Sequence, residues 1–343
     1  MPAPYSGSAP GQSPRAAEVV QRVQLWELPA RRLPITVRPV PYETVLSYLG
    51  RLADANQLSR DALVRHLAHC GDTTGTARDA TLNAAAVDRL VILCGRPPAS
   101  LRRALPGLAR LSNATPSRPT LRWTWVEPGS LAAACTACVT RRGVRLPVML
   151  RLPSHHYLCL RHSRWLRGRQ EPAGTQLDVS GLPDVTAAQR RHDNLVRRYG
   201  ADATGVAHSD AHEVVLGMLR RRRVVGLHDR WDQRVARLGH AGQTLDTHDA
   251  ALQAALYPEM VALSTLFASP HWAQVATSRD QGFRTRIFDE IDRRLGISYP
   301  RNLGYYEPVS RWLRMFRQQR QVDQVVIPRR TPPDDWPDTA HLP

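Results

Sequence analysis

Residues 135–165 read CTACVTRRGVRLPVMLRLPSHHYLCLRHSRW, and this stretch decides the fold. Cys135 and Cys138 form a CxxC pair; Cys159 and His162 form a CxxH pair. Two short knuckles, about twenty residues apart, can bring three thiolates and one imidazole around a point, which is how a tetrahedral zinc site is built. The segment between them fits. Gly143 marks a turn, and residues 144–152, rich in Val, Leu and Met, read as a strand returning toward the second knuckle. Four protein ligands leave no open position, so one structural Zn²⁺ is expected, folding a module and doing no chemistry. His155 and His156 are also near, but His162 occupies the knuckle position. A disulfide is disfavoured, because neither a βαβ pattern nor a secretory context surrounds the CxxC. Cys70 and Cys94, each in an apolar helical run, read as buried thiols.

The same stretch is basic throughout. Between Glu127 and Glu171 there is no acidic residue, while Arg141, Arg142, Arg145, Arg151, Arg161, Arg164, Arg167 and Arg169 all fall inside. All 47 basic residues of the 343-residue chain are Arg; set against 30 Asp and Glu they leave a formal charge of +17. Such an excess points to a polyanionic partner, most simply nucleic acid. Trp123, Trp125, Tyr157 and Trp165 could stack on bases, but aromatics in a small zinc module mostly pack its core.

Upstream, residues 33–70 predict two short helices. Val45, Leu49 and Leu52 recur at helical spacing behind Pro41. Asn56 and Gln57 break the pattern, Ser59 caps a second helix, and Leu63, Val64 and Leu67 give it an apolar face. Two helices joined by a tight polar turn make a helix-turn-helix-like unit, in which Arg60 and Arg65 would be the exposed DNA contacts. The pattern is equally that of a plain helical hairpin. A third helix is expected over 81–95 with Gly95 as its cap, and a strand over 121–126. Downstream, helices are expected at 185–200 (capped by Thr186), within 209–242, and at 248–256, 259–268, 282–295 and 306–321. Arg220, Arg221, Arg222 and Arg223 wrap one of these helices and are candidate phosphate contacts. Residues 270–306 suggest a further helix-turn-helix. Residues 1–30 and 328–343 read as flexible tails.

LPITVRPVPYETVLSYLGRLADANQLS resembles the opening of TniQ-family proteins, in which a Leu-Pro and Arg-Pro segment precedes a Glu-Ser/Thr helix and an Asn-x-Leu-Ser turn. Pro34, Arg38, Pro39, Glu43, Ser47, Leu52, Ala53, Asn56, Leu58 and Ser59 carry the match. The helix ending in Leu93-Cys94-Gly95, the Pro after it and Leu101 resemble the family's next element; CTAC and CLRHSRWL resemble its zinc knuckles. The resemblance covers roughly residues 31–200. It implies a non-catalytic, transposition-associated protein that bridges a targeting complex and the transposition machinery, possible homodimers included. Many members carry a further CxxC after the CxxH. This chain has no cysteine beyond Cys159, so that second zinc site is expected to be missing.

Enzymatic chemistry finds no support. Asp289, Glu290 and Asp292 share a helix with Arg293 and Arg294, as paired surface charges do. Neither a Gly-rich phosphate loop nor a nucleophile elbow is present. His208, His212 and His228 read as scattered surface or helix-end residues. Residues 1–30 lack a signal-peptide core and no run reaches the ~20 apolar residues of a membrane span, so a cytoplasmic protein is expected. The expectation is a mainly α protein: a tail (1–30), a TniQ-like helical domain (31–115), an inserted zinc ribbon with short strands (120–170), a helical C-terminal domain (180–325) and a second tail. Its expected function is DNA binding and target selection in transposition. A stand-alone transcriptional regulator and a zinc-stabilised adaptor for an acidic protein are the alternatives.

Overall fold

The structure is a computed structural model and describes residues 24–70, 79–108, 118–126, 130–168, 175–221, 226–278, 281–297 and 307–326. The described chain is mainly helical with a few short strands. It divides into two compact units, Met1–Pro39 with Tyr48–Trp125, and Val40–Ser47 with Val126–Pro343.

The chain passes from one unit to the other within helix α1 (Val45–Ala55). Thr44 Oγ1 accepts the Ser47 N–H at 3.1 Å, capping the helix start. In the first unit Tyr48, Leu49 and Leu52 are fully buried. Asn56, at the C-terminal end of α1, accepts the Ile35 N–H and donates to Ile35 O, both at 2.9 Å, and also donates to Leu52 O. That one amide ties the Leu-Pro arm to the helix. Arg51 does the same to Arg38 O at 3.0 Å. Gln57 turns the chain at φ +56°, and Ser59 caps helix α2 (Arg60–Leu67) by accepting the Ala62 N–H. A three-stranded sheet follows. Strand β3 (Thr120–Thr124) lies between β1 (His69–Cys70), parallel to it, and β2 (Asp79–Leu82), antiparallel to it.

Several expectations are corrected here. The third helix, α3, is Ala84–Cys94, not 81–95: Asn83 caps it, and Thr81 and Leu82 belong to β2. Cys70 lies on β1 and not in a helix, because α2 ends at Leu67. Gly95 does close α3, at φ +60°, and a Cβ there would stand 2.7 Å from Arg32 Nε. Part of the stretch expected as a tail, residues 24–30, is described; residues 1–23 lie outside the described residues. Leu25–Glu27 form one 3₁₀ turn, Trp26 meets His69 edge-on, and Arg89 donates to Leu28 O. Helix α4 (Pro98–Ala104) begins on a proline whose fixed φ suits a first turn.

The second unit joins the ribbon to the C-terminal helices. Its ribbon comprises β4 (Leu131–Ala133), α5 (Thr136–Thr140), β5 (Met149–Arg151), β6 (Leu158–Cys159) and β7 (Arg164–Trp165). The strand expected over 144–152 is only the three residues of β5, paired antiparallel with β4; Gly143, at φ +71°, does make the turn before it. Glu43, fully buried, accepts the Val40 N–H and the Ser47 hydroxyl, and Ser47 Oγ accepts the Met149 N–H at 3.1 Å. The Glu and Ser of the opening motif therefore fix the chain before α1 against β5.

Seven helices follow among the described residues: α6 (Pro183–Tyr199), α7 (Ala201–Arg221), α8 (Leu227–Arg237), α9 (Ala250–Phe267), α10 (Pro270–Thr277), α11 (Gln281–Leu295) and α12 (Pro308–Val326). Helix α6 starts on Pro183, so Thr186 lies inside it and does not cap it. The expected break between 248–256 and 259–268 does not occur: α9 runs through Pro258. Of its residues only Gln253, Ala262 and Thr265 are not buried. A helix apolar all round belongs in the middle of a bundle, and burial there outweighs the hydrogen bond that proline removes. By length and composition α9 could also cross a membrane, but 83% of it is buried inside the protein. Its one acid, Glu259, is 4% exposed and meets Arg234 through both oxygens at 2.6 and 3.0 Å, with the Trp231 indole N–H at 3.1 Å.

Candidate metal centre and nucleic-acid interface

Cys135 precedes α5, and its carbonyl accepts the Val139 N–H, so the turn of α5 carries Cys138 back beside it. The second knuckle is the β6–β7 hairpin, in which Leu158 pairs with Trp165 and Cys159 with Arg164. His162 donates its N–H to Cys159 O, and Ser163 at φ +50° completes the reversal. The knuckles converge. His162 Nδ1 lies 3.5, 3.2 and 3.7 Å from the Sγ atoms of Cys135, Cys138 and Cys159, and Cys138 and Cys159 stand 3.7 Å apart. Tetrahedral zinc, with Zn–S ~2.3 Å and Zn–N ~2.0 Å, requires S···S edges of ~3.8 Å and S···N edges of ~3.6 Å. A disulfide would need ~2.05 Å. The four ligand atoms lie within 4.8 Å of one another, a set able to hold one metal ion.

The chemistry of the set points the same way. Burial, followed by the neighbouring Cys159 thiol, pushes Cys138 up to about 12, and burial also raises Cys135. Clustered thiols resist ionising together; a cation at their centre reverses that, because ligating thiols must be deprotonated.

One supporting residue escaped the sequence reading. Gln176 is 8% exposed. Its amide nitrogen donates to Ala133 O and Ala134 O, and its oxygen accepts the Thr136 N–H at 2.9 Å, bracing the backbone on both sides of Cys135. No spacing rule marks a glutamine for such a task. Asp178, after the long acid-free run, pairs with Arg164 at 3.3 Å, while Leu177 O accepts the Trp165 N–H.

The arginines separate into groups. Arg141, Arg142, Arg145 and Arg161 are exposed on the ribbon, Arg60 and Arg65 on α2, and Arg220 at the end of α7. Arg221 is half-buried; Arg222, Arg223 and Arg169 lie outside the described residues. Arg164 faces Asp178 and Gln176 O. Arg167 departs furthest from a phosphate contact. It turns inward, donates to Leu152 O, Pro153 O and His156 O, and sits 4.9 Å over the Tyr157 ring. Trp165 is buried and packs against Tyr157 and Tyr257. Trp125 instead is 61% exposed.

Residues 34–166 match the TniQ family model. This segment is a TniQ domain. It spans the arm, α1 to α4, the three-stranded sheet and both knuckles; α6 to α12 lie beyond it. No curated protein and no solved structure matches the chain. TniQ domains are associated with transposition and DNA binding. The Glu43, Ser47, Asn56 and Ser59 that carry the resemblance all make structural hydrogen bonds here.

Proposed function

We propose that this chain is a non-catalytic accessory protein of a transposition system, which binds DNA and takes part in target selection, with one structural Zn²⁺ held by Cys135, Cys138, Cys159 and His162. The TniQ domain over residues 34–166 carries the reading. Two features support it: the convergent Cys₃His set, and the exposed arginines 141, 142, 145 and 161 on a ribbon without an acid between Glu127 and Glu171. In this reading the ion holds the two knuckles together, and the knuckles hold the arginines at fixed spacing against phosphates. Arg60 and Arg65 on α2, and Arg220 to Arg223, are further candidate phosphate contacts. The protein works in the cytoplasm beside other transposition proteins.

DNA binding across a salt series is the test. The affinity of a phosphate binder falls steeply with salt, and the log–log slope drops by about 0.9 for each phosphate contact removed. The Arg141→Ala/Arg142→Ala/Arg145→Ala variant should bind duplex DNA more weakly on every sequence, with a shallower slope. Salt-insensitive or absent binding by the wild type would favour an adaptor for an acidic protein. Tight binding to one operator without any transposase would favour a stand-alone regulator.

A further inference from the structure

Four histidines outside the ribbon line one cavity of about 670 Å³: His192 of α6, His208 and His212 of α7, and His248 ahead of α9. Tyr157 and Arg167 also line it, and no lining residue among those described is a carboxylate.

Hydrogen bonds settle the tautomers of two of these rings. His208 Nδ1 stands 3.0 Å from Ser264 Oγ, and that hydroxyl donates its single hydrogen to Met260 O at 2.7 Å. Ser264 must therefore accept from His208, whose proton lies on Nδ1. His192 Nδ1 stands 3.0 Å from the Tyr257 hydroxyl, which donates to Gln189 Oε1 at 3.1 Å. The Gln189 amide is itself oriented: its nitrogen donates to His155 O and Asp193 Oδ1, and its oxygen accepts the Tyr157 N–H. Tyr257 thus also accepts from its imidazole. Both rings carry the proton on Nδ1, leaving a bare lone pair on Nε2. Both Nε2 atoms are buried and without a hydrogen-bond partner. The ring centres stand 4.4 Å apart.

A buried acceptor with no donor costs about 1–3 kcal/mol, and here two sit side by side. Burial, then His155 and Arg167, lowers His192 to about 3; burial, then His192 and His212, lowers His208 as well, so both rings are neutral near pH 7. Neutral imidazoles that give one N–H to a fixed acceptor and keep the other nitrogen bare have the form of metal ligands. His208 and His212 add the i, i+4 spacing by which two imidazoles on one helix face reach a common ion. Nitrogen donors without carboxylates select zinc, copper, nickel or cobalt over magnesium or calcium.

We propose that His192 and His208, through Nε2, with His212 rotating in from the next turn of α7, hold a second divalent ion of the zinc class, separate from the cysteine cluster. Solvent completes the shell. Arg167 weakens binding of the bare cation and favours hydroxide or another anion as the exogenous ligand.

Metal stoichiometry of the full chain tests this, and the outcome does not depend on the nucleic-acid reading. Zinc-saturated, desalted wild type should carry two ions. His192→Asn/His208→Asn should carry one, because Asn places its amide nitrogen near Nδ1 and can still donate to Tyr257 and Ser264 while lacking Nε2. Cys159→Ser should lose the other ion. His212→Ala should weaken the second site, read as a lower metal affinity at the second equivalent. Cobalt separates the sites spectroscopically in wild type alone, which covers a double variant that fails to fold: one equivalent brings thiolate-to-cobalt charge transfer, the other only d–d bands. Saturation of wild type at one equivalent, with charge transfer throughout, overturns the proposal. So does a second equivalent undiminished in His192→Asn/His208→Asn.

Discussion

Asn56 shows how much one side chain can hold. Three of its hydrogen bonds join the Ile35 arm to the end of α1. We expect Asn56→Ala to cost about 2 kcal/mol in urea unfolding, at roughly 0.5–1.5 kcal/mol for each bond lost less the relief of partial exposure. Arg234 sets a larger figure. It is 9% exposed, and its guanidinium meets Glu259, Asp184 Oδ2 at 2.7 Å and Ala255 O at 2.7 Å. Arg234→Met leaves buried Glu259 with only the Trp231 indole and the more distant Arg230, at 4.0 Å, and should cost about 3–5 kcal/mol. Adding Glu259→Leu should recover much of that loss; a double variant as unstable as the single would show that the pair was not the source. Among the knuckle residues, Cys159→Ser should remove the ribbon ion, read as a drop of about one in zinc per chain.

At the scale of elements, α11 carries a charge pattern legible in the sequence. Glu290 accepts from Arg293 and Arg294 at 2.6–2.8 Å, and these bonds, led by Arg293, hold its carboxyl below the usual range. A depressed carboxyl stabilises the fold above its unfolded pKa, and the contribution disappears as pH falls through the folded value. Wild type should therefore be more heat-stable than Glu290→Gln at pH 7 by a small, salt-sensitive margin, with the two converging in acid below about pH 4. Equal melting temperatures at neutral pH would refute this. Helix α9 shows the opposite case. Pro258 signals a break, yet the helix continues because almost every side chain around it is buried. Local propensity is a weak prior once burial on all sides is available.

At the scale of the second unit, the ribbon does not stand apart from the helices. Leu158 and Trp165, on the second knuckle, share a core with Val185 and Leu195 of α6 and Tyr257 and Val261 of α9. Gly168, at φ +75°, lets the ribbon's last turn come close to α9; a Cβ there would lie 3.0 Å from His248 O. Stripping the metal should consequently lower the melting temperature of the α6–α9 helices, followed by far-UV circular dichroism with and without chelator. A helical transition indifferent to chelator would show the two to be energetically separate.

The sequence alone determined the convergent Cys₃His cluster, the helical class, the caps at Ser59 and Gly95, and the basic character of the ribbon. Each of these depends on near neighbours or on a short spacing, and such signals survive without the fold. The tertiary structure decided the rest. It turned Arg167 inward onto three carbonyls, brought Gln176 behind Cys135, and carried α9 through its proline. It also drew His192 and His208, on separate helices, into ring contact. In one dimension those histidines are scattered; only the packing of α6 on α7 and α9 makes them a pair. Long-range burial chooses such partners, and no local periodicity records that choice.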